Sequence, residues 1–288
     1  MTTTVFFTLD VDPSFPWRSD IQGLKEFLGC LKQARHLTDF FCEMNISGYA
    51  LIQISKISQK LLDQLKELVA AHVIEIGNHG YTHRPLSIIE TSFSPRRYIE
   101  VSKLVKHIQT VIYKRQTTES IRISIRHAIN LFLTKPNALM EGEIIKEIRV
   151  TNKLLEKAFN HPPQIFRAPY LSTSQLISKI IREEGIKCDL SNYITTKGNK
   201  LQAVIPRNIS EGNGEIWEID TSAKLDPSRW IEKIATYKPG LLPTGLTVVV
   251  THPWEFSLSN KSAGFVRKSF QHLLGETDKF VLVGDIIK

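Results

Sequence analysis

The chain has 288 residues, which is long enough for one large α/β domain or two small ones. Its composition, 42% hydrophobic and 23% charged, is that of an ordinary soluble protein, and no apolar run approaches the roughly 18 residues of a membrane span. The formal net charge of +8 is compatible with an acidic partner, but no recognisable nucleic-acid-binding module accompanies the charge, so we expect no nucleic-acid partner.

The N-terminus and the cysteines both favour a cytoplasmic location. The first residues contain no basic stretch and no cleavage site and lead directly into a predicted strand, so we expect no signal peptide. Cys30, Cys42 and Cys188 are odd in number, scattered and without a Cys-x-x-Cys pair. We predict that they are reduced thiols.

Strands and helices are predicted to alternate from the N-terminus. The first elements are a strand over 3–9, a helix over 23–44, a strand over 48–53, a helix over 57–72 and a strand over 73–77. The first helix carries apolar residues such as Leu24, Phe27 and Leu31 at spacings of three and four, so one of its faces should be buried. After this region the pattern changes, and residues 84–140 are predicted to form a mainly helical, basic insertion.

The alternation resumes after the insertion. We predict helices over 141–159, 173–184, 227–237 and 262–275, and strands ending near Arg167 and over 186–190, 203–206, 215–220, 246–251 and 279–283. This order indicates a mainly parallel sheet, open or closed into a barrel. The simplest account is a single α/β domain over residues 1–288 with a helical insertion at 84–140.

Two short segments carry the first chemical signal. Thr8-Leu-Asp-Val-Asp12 and Gly77-Asn-His-Gly-Tyr-Thr-His83 each follow a short apolar stretch that is predicted to be a buried strand. A turn or a chance pair of surface histidines would explain either segment alone, but strand ends on one rim of an α/β fold are where such folds place their chemistry. One carboxylate and two histidines form a ligand set for catalytic zinc, and the second carboxylate is then a candidate general base.

Two later strand ends add further side chains. Arg167 precedes a rigid Ala-Pro-Tyr turn, and its functional role would be to pair with a carboxylate and hold it ionised. His252 is delivered to the end of an apolar strand in the same way. A surface arginine and a buried structural histidine are the ordinary alternatives. Trp217 and Trp254 would wall a saccharide pocket, although core packing is the commoner use of tryptophan.

In order and type, these segments resemble the motifs of the polysaccharide deacetylases, the carbohydrate esterase family 4 group that includes the chitooligosaccharide deacetylases. The aspartate pair of the first family motif resembles Thr8-Leu-Asp-Val-Asp12, and the His-Ser/Thr-x-x-His motif resembles His79-Gly-Tyr-Thr-His83. The Arg-x-Pro-Tyr motif resembles Arg167-Ala-Pro-Tyr170, and the Leu-x-His motif resembles Val250-Thr-His252. The resemblance runs from about residue 3 to residue 255 and is interrupted by the insertion.

This resemblance implies a distorted (β/α)7 barrel and a metal-dependent N-deacetylase. It assigns three ligands to one divalent metal, Zn²⁺ before Co²⁺, Ni²⁺ or Mn²⁺: Asp12, His79 and His83. It makes Asp10 the general base, Arg167 the residue that orients this base, and His252 the general acid. The backbone N–H of Tyr170 would help to bind the oxyanion, and Trp254 would contact the substrate.

The chain departs from the family pattern at several positions. Its carboxylates are spaced as Asp-Val-Asp and its last motif reads His252-Pro-Trp-Glu, and both features are similar to a branch that contains ureide and imide hydrolases resembling allantoinase. Gly80 stands where the family usually has Ser or Thr, so a supporting hydrogen bond is expected to be missing. The aspartate that tunes the acid histidine is not clear, and Asp220 and Asp226 are both candidates.

The sequence therefore predicts an enzyme that removes the acetyl group from an N-acetylated amino sugar, a cytoplasmic intermediate of surface-polysaccharide or glycolipid synthesis. The charge and the carrier of this saccharide stay open. The first alternative is hydrolysis of a small cyclic amide, ureide or imide at the same site. The second alternative is a non-catalytic saccharide-binding protein on the same fold, which the retained base and acid disfavour.

Overall fold

The computed structural model describes residues 2–12, 17–36, 39–83, 86, 141–194, 201–211, 214–225, 234–257 and 261–287. Apart from Leu86, the predicted insertion at 84–140 lies outside these residues. Asp226 and most of the predicted helix over 227–237 also lie outside them.

The elements before the insertion alternate as expected, but two of them differ in place or type. They are β1 (Thr3–Val11), α1 (Trp17–Ala34), β2 (Cys42–Ile46), α2 (Gly48–Ile57), α3 (Gln59–Ala70) and β3 (Ile74–Asn78). The predicted strand over 48–53 is wrong, because this stretch forms α2. The predicted helix over 23–44 is too long, because its last residues belong to β2.

Local capping and side-chain alternation explain this difference. The Ser47 hydroxyl accepts a hydrogen bond from the backbone N–H of Ala50 at 3.0 Å, which starts α2 at Gly48. In β2, the apolar residues Cys42, Met44 and Ile46 pack into the main hydrophobic core, whereas the alternating Glu43 and Asn45 are polar. The strand is therefore short, half polar and easily mistaken for the end of a helix.

The second half of the chain completes the sheet. Its elements are α4 (Glu141–Phe159), β4 (Ile165–Phe166), a short 3-10 turn (Pro169–Leu171), α5 (Gln175–Glu183), β5 (Cys188–Asp189), β6 (Arg207–Glu211), β7 (Gly214–Glu218), β8 (Ala223–Lys224), β9 (Ala235–Thr236), β10 (Gly245–Thr251), α6 (Pro253–Ser257), α7 (Lys261–Glu276), β11 (Lys279–Phe280) and α8 (Val283–Ile286). The predicted helix over 141–159 is confirmed by α4. The predicted helix over 227–237 is wrong at its end, where β9 pairs with β8.

The described residues form one sheet of 11 strands in the order β6-β7-β5-β4-β3-β2-β1-β10-β8-β9, with β11 also paired to β1. The pairing is parallel except between β6 and β7, which are antiparallel. The predicted mainly parallel α/β sheet is thus confirmed, and its curled form is that of a distorted (β/α) barrel.

β1 lies in the middle of the sheet and is buried on both faces. Phe7 faces the helices and stacks on Phe27, with ring centroids 5.7 Å apart. Phe6 faces the other way and belongs to an apolar cluster contributed mainly by the strands. A strand that is covered on both faces needs an almost continuous apolar run. Polar side chains in β1 therefore stand out, and Thr8 and Asp10 are such side chains.

Among the described residues, no helix combines the length and the apolar character that a bilayer crossing requires.

Candidate metal centre and its catalytic neighbours

The carboxyl ends of four parallel strands meet on one rim of the curled sheet. Asp12 follows β1, His79 follows β3, Arg167 follows β4 and His252 follows β10. Each of the first three side chains is almost completely buried. The strand ends that the sequence singled out therefore converge in space, as expected for parallel strands.

Asp12, His79 and His83 form a group that can hold a metal ion. Each offers one ligand atom, and these atoms all lie within 4.8 Å of one another. Nδ1 of His79 donates a hydrogen bond to the carbonyl oxygen of Arg167 at 2.8 Å, which leaves Nε2 as the ligand atom. Nε2 of His83 lies 3.7 Å from Oδ2 of Asp12. A carboxylate with two imidazoles fits a divalent cation such as zinc.

Burial keeps both imidazoles in the form that a metal requires. It lowers the pKa of His79, and it lowers the pKa of His83 to about 4, even though the charge of Asp12 acts in the opposite direction. Neutral imidazole is the ligand form, so no proton has to be displaced from these rings at neutral pH.

The backbone around the second ligand is in an uncommon conformation. His83 has φ of 57° and Tyr170 has φ of 58°, both in the left-handed region that residues other than glycine rarely adopt. Their rings lie against each other with centroids 4.9 Å apart. Strained residues of this kind cluster at functional sites, and here the two support each other.

Gly80, the departure from the family motif, has a conformational reason. Its φ is +78°, and an added Cβ would lie 3.2 Å from Cγ of Pro169. Glycine is therefore the residue that this turn accommodates best.

Asp10 is held on one side of the metal group by a fixed network. Its Oδ1 accepts hydrogen bonds from Nη1 of Arg167 at 2.8 Å and from Nδ2 of Asn45 at 2.9 Å. Burial acts to raise the pKa of Asp10, but the charges of Arg167 and His79 prevail and hold it well below its usual range. Asp10 is thus a carboxylate that stays ionised and keeps one orientation.

Arg167 has no exposed surface, and its guanidinium is satisfied by several elements at once. Beyond Asp10, Nη1 donates to the Thr8 hydroxyl at 2.8 Å and Nη2 to the Thr221 hydroxyl at 3.1 Å. Nε donates to the carbonyl oxygen of Leu190 at 3.2 Å. A buried guanidinium needs such partners, and they fix its position under Asp10.

His252 lies beside the metal group and has its own carboxylate. Its Nδ1 lies 3.3 Å from Oε1 of Glu255, and its Nε2 lies 3.6 Å from Oδ2 of Asp12. The Thr251 hydroxyl donates to Oε2 of Glu255 at 2.6 Å and orients that carboxylate. Burial acts to lower the pKa of His252, but the hydrogen bond and charge of Glu255, with the charge of Asp12, raise it to about 10.

Asp220, one of the two aspartates considered as tuning residues, lies away from His252. Asp220 pairs with Nη2 of the half-exposed Arg207 at 2.8 Å and makes no recorded contact with His252 in the described part of the chain. Asp226 lies outside the described residues. Glu255, three residues after His252 on α6, is the carboxylate in contact. It was not predicted, although the i, i+3 spacing in His-Pro-Trp-Glu was a signal that could have identified it.

The two tryptophans have different places. Trp254 stacks on the His252 ring with centroids 5.6 Å apart and an interplanar angle of 29°, so it borders the site. Trp217 packs against the apolar cluster formed by the strands and is a core residue.

A further buried carboxyl, which was not predicted from the sequence, lies on α1. Asp20 is almost completely buried, and its Oδ1 has no hydrogen-bond partner among the described residues. Burial and the charge of Asp12 raise its pKa well above the usual range. Nothing in the surrounding sequence distinguishes Asp20 from an ordinary acidic residue in the first turn of a helix.

Fold and site together define a (β/α)-barrel protein with a group of metal-ligand type at the carboxyl ends of its strands. The family follows from a sequence match that spans more than half of the chain, in which residues 21–216 match the model of glycosyl hydrolase family 57. The chain therefore belongs to glycosyl hydrolase family 57. A comparison with curated proteins found no match.

Solved structures with this fold include proteins of two groups. A protein from Mycobacterium smegmatis, provisionally assigned as a polysaccharide deacetylase, has a TM-score of 0.56 and 16% identity over 99% of this chain and 89% of its own. The 4-alpha-glucanotransferase from Thermococcus litoralis has a TM-score of 0.60 and 11% identity over 99% of this chain and 38% of its own. A CE4 family pseudoenzyme from Bacillus anthracis has a TM-score of 0.50 and 14% identity over 98% of this chain and 65% of its own.

At these identities the likeness concerns the fold. The resemblance to the polysaccharide deacetylases, inferred from the motifs, is confirmed at that level, and glycosyl hydrolase family 57 is likewise a family of (β/α)7 barrels.

Proposed function

We propose that the protein is a metal-dependent N-deacetylase of an N-acetylated amino sugar. The observation that carries this proposal is the arrangement around the metal group. Asp12, His79 and His83 offer ligand atoms within 4.8 Å of one another, and the same rim carries an ionised carboxylate and a histidine bonded to its own carboxylate. Amide hydrolysis needs a base on one side of the carbonyl and an acid on the other.

The roles of the protein groups follow from their surroundings. A divalent cation at the ligands would polarise the amide carbonyl and lower the pKa of water. Asp10 accepts the proton of the attacking water, because Arg167 and Asn45 leave it ionised and aimed. His252 donates a proton to the leaving nitrogen, since amines are poor leaving groups.

We place the backbone N–H of Tyr170 at the developing oxyanion. The left-handed conformation of Tyr170, with φ of 58° and ψ of 18°, turns the backbone sharply beside His83. One donor of this kind typically contributes about 2.7–4 kcal/mol to transition-state stabilisation.

The substrate class rests on the family and on the site border. Glycosyl hydrolase family 57 membership indicates a carbohydrate, and Trp254, stacked on His252, is the aromatic residue that borders the site. The net charge of +8 favours an anionic or carrier-linked saccharide. We place the enzyme in the cytoplasm. Immunological detection in fractionated source cells would test this location.

Acetate release is the direct test. Purified protein reconstituted with Zn²⁺ would be assayed against nucleotide-linked and lipid-linked N-acetylhexosamines, with His79→Ala as the control that lacks a ligand. We expect acetate from the native protein, its loss on chelation, and its recovery with Zn²⁺ or Co²⁺. Stoichiometric zinc without turnover of any N-acyl compound would instead favour a saccharide-binding protein, and turnover of only cyclic amides, ureides or imides would favour the allantoinase-like alternative.

A second candidate is a glycosidase or glycan transferase, because the sequence match is to glycosyl hydrolase family 57. Asp20 is the specific feature that favours it, since a buried carboxyl whose pKa is raised by burial and by the charge of Asp12 has the property required of a general acid. This activity would release reducing sugar or transfer glucan, survive chelation and disappear in Asp20→Asn. The deacetylase reaction, in contrast, stops on chelation.

A further inference from the structure

The loop between the two histidine ligands is held on one side by a helix start. The carbonyl oxygen of Gly80 accepts a hydrogen bond from the backbone N–H of Gly48 at 2.7 Å, and that of Tyr81 accepts one from Tyr49 at 2.8 Å. These donors belong to the first turn of α2, where backbone N–H groups lack partners within the helix.

The N–H groups of the same loop are held by one carboxylate of α4. Oε2 of Glu147 accepts hydrogen bonds from the backbone N–H of Tyr81 at 2.8 Å and of Thr82 at 2.7 Å. Oε1 of Glu147 accepts from the Thr82 hydroxyl at 2.5 Å. Three donors of the ligand loop thus bind a single side chain, which follows the insertion in the sequence.

Glu147 is itself firmly placed. Glu147 is only 3% exposed. Burying a carboxylate costs free energy unless hydrogen bonds compensate that cost. Asn78, the residue before His79, donates through Nδ2 to the carbonyl oxygen of Ile148 at 3.0 Å and to Oδ1 of Asn152 at 2.5 Å. The end of β3 and the helix that carries Glu147 are therefore tied together directly.

We propose that Glu147 is a positioning residue of the metal centre: its carboxylate fixes the Gly80–Thr82 loop, so that His79 and His83 present their ligand atoms together. The proposal rests on the metal site of the proposed function. Gly80 carries no hydroxyl, and the loop turns through two left-handed residues, Gly80 with φ of 78° and His83 with φ of 57°. This turn is held by the Asn78 side chain, which accepts from the backbone N–H of Gly80 at 2.8 Å, and by the first turn of α2. Glu147 adds the hydrogen bonds to the backbone N–H groups of Tyr81 and Thr82.

Zinc affinity of the folded protein tests this role. We expect Glu147→Ala to lower the affinity for Zn²⁺ by roughly 10–100-fold, the usual effect of removing a group that orients metal ligands. Glu147→Gln should stay within a few-fold of the native affinity, because its amide oxygen can accept from the two backbone N–H groups while its NH₂ donates to the Thr82 hydroxyl, which can rotate. Affinity would be measured by competition with a chromophoric chelator.

The matched control is Glu156→Ala, which removes an exposed glutamate from the same helix. It should bind Zn²⁺ like the native protein. Native zinc affinity in Glu147→Ala, or an equal loss in Glu147→Gln and Glu147→Ala, would overturn the proposal. If Glu147→Ala does not fold, Thr82→Val takes its place, with a several-fold loss of affinity expected and native affinity counting against the role.

Amide hydrogen exchange separates this inference from the deacetylase proposal. In the metal-free protein, the amides of Tyr81 and Thr82 should exchange faster in Glu147→Ala than in the native protein or Glu156→Ala. Unchanged exchange overturns the role of Glu147. A third outcome is that the native protein binds no zinc, while the amides of Tyr81 and Thr82 still exchange faster in Glu147→Ala. This outcome would contradict the proposed metal chemistry but would establish the contact between Glu147 and the loop.

Discussion

At the residue scale, Asp10 and Asp12 are two residues apart yet have different surroundings. Asp10 points to the buried guanidinium of Arg167, and Asp12 lies between the imidazoles of His83 and His252. A carboxylate that is bonded to a guanidinium stays ionised and aimed, whereas one beside imidazole nitrogens can share a cation with them. The environment, and not the residue type, separates a base from a ligand.

Because of this difference, mutation should separate the function of the base from that of the metal ligands. Asp10→Asn should keep the metal and lower kcat by at least about 100-fold, since positioned general bases contribute roughly 10²–10⁴-fold. His79→Ala should lose both metal and turnover. Metal content by elemental analysis and acetate release would be measured together. An Asp10→Asn variant with most of its activity would refute Asp10 as the base.

A pH prediction follows from the contact between His252 and Glu255. The pKa of His252 is raised to about 10, so the folded chain holds a proton that the unfolded chain loses near pH 6.5. This contribution to stability is complete below pH 6.5 and is lost as the pH rises to about 10. In chelator-treated protein we expect Tm to fall by about 5 °C or more over this interval.

Glu255→Gln supplies the comparison for this prediction. It keeps the shape of the side chain but removes the charge that raises the pKa of His252, so the decline of Tm between pH 6.5 and 10 should become shallower. Thermal unfolding by circular dichroism at both pH values measures it. Equal slopes in both proteins would show that another group titrates there.

On the acid side, His83 acts in the opposite direction. Its pKa of about 4 lies below the unfolded value near 6.5, so the unfolded chain gains the proton first and stability falls between these values as the pH is lowered. The combined contribution of these two histidines to the stability of the metal-free protein should therefore be greatest near pH 6.5.

Part of this site was predictable from the sequence because each motif residue follows a strand. Asp12, His79, Arg167 and His252 needed only strand ends to be recognised. Glu147 was not predictable, since it lies beyond the insertion and contacts the ligand loop only through tertiary packing. Asn45 was missed because β2 itself was misplaced.

At the element scale, α1 and α6 pack so closely at Gly23 that no side chain fits between them. A Cβ added at Gly23 would lie 1.7 Å from the carbonyl oxygen of Pro253, the residue after His252. Contact of this kind places the two helix backbones against each other and fixes the segment that carries the acid histidine. Glycine is required there by packing and not by backbone conformation.

Gly23→Ala should therefore destabilise the fold by about 1–3 kcal/mol or more and reduce kcat through displacement of His252. Gly29→Ala is the matched control on the same helix, because nothing lies within 4 Å of its added Cβ. It should stabilise by up to about 1 kcal/mol, the usual gain of alanine over glycine in a helix. Urea unfolding and acetate release would be compared. Similar destabilisation by both changes would contradict the packing argument.

The sequence predicted most elements before and after the insertion, and its main error was local. Helix 141–159 and strand 246–251 have strong periodicity or a long apolar run, and α4 and β10 confirm them. The boundary around Ser47 was missed because β2 alternates polar and apolar residues and is followed at once by a capped helix. Short strands next to helices give too few residues for their period to be recognised.

At the scale of the whole molecule, the metal site joins segments from the first third of the chain to supports from its remainder. The folded state brings the three candidate ligands together, so we expect Zn²⁺ that binds there to raise Tm. At free zinc near 100 times Kd, the gain is about 2.7 kcal/mol, or roughly 5–10 °C. His79→Ala should not respond, and an equal response in both proteins would place the zinc elsewhere.

Family and fold carry different information about this molecule. Family membership in glycosyl hydrolase family 57 and structural likeness to CE4 proteins both concern a barrel that serves more than one carbohydrate chemistry. One of the similar structures is a pseudoenzyme, so the barrel alone does not establish catalysis. Whether the barrel is catalytic depends on the side chains at its rim.

The central strand has a consequence for synthesis of the protein. β1 pairs with β10 in the register Thr3 to Gly245 through Leu9 to Thr251, so its partner on that side is synthesised much later than β1 itself. At ribosomal rates of about 5–20 residues per second, this apolar edge waits roughly 10–50 s for its neighbour. The nascent chain thus exposes an open, strongly hydrophobic strand edge for most of translation, and a chaperone that shields it should raise the yield of soluble protein.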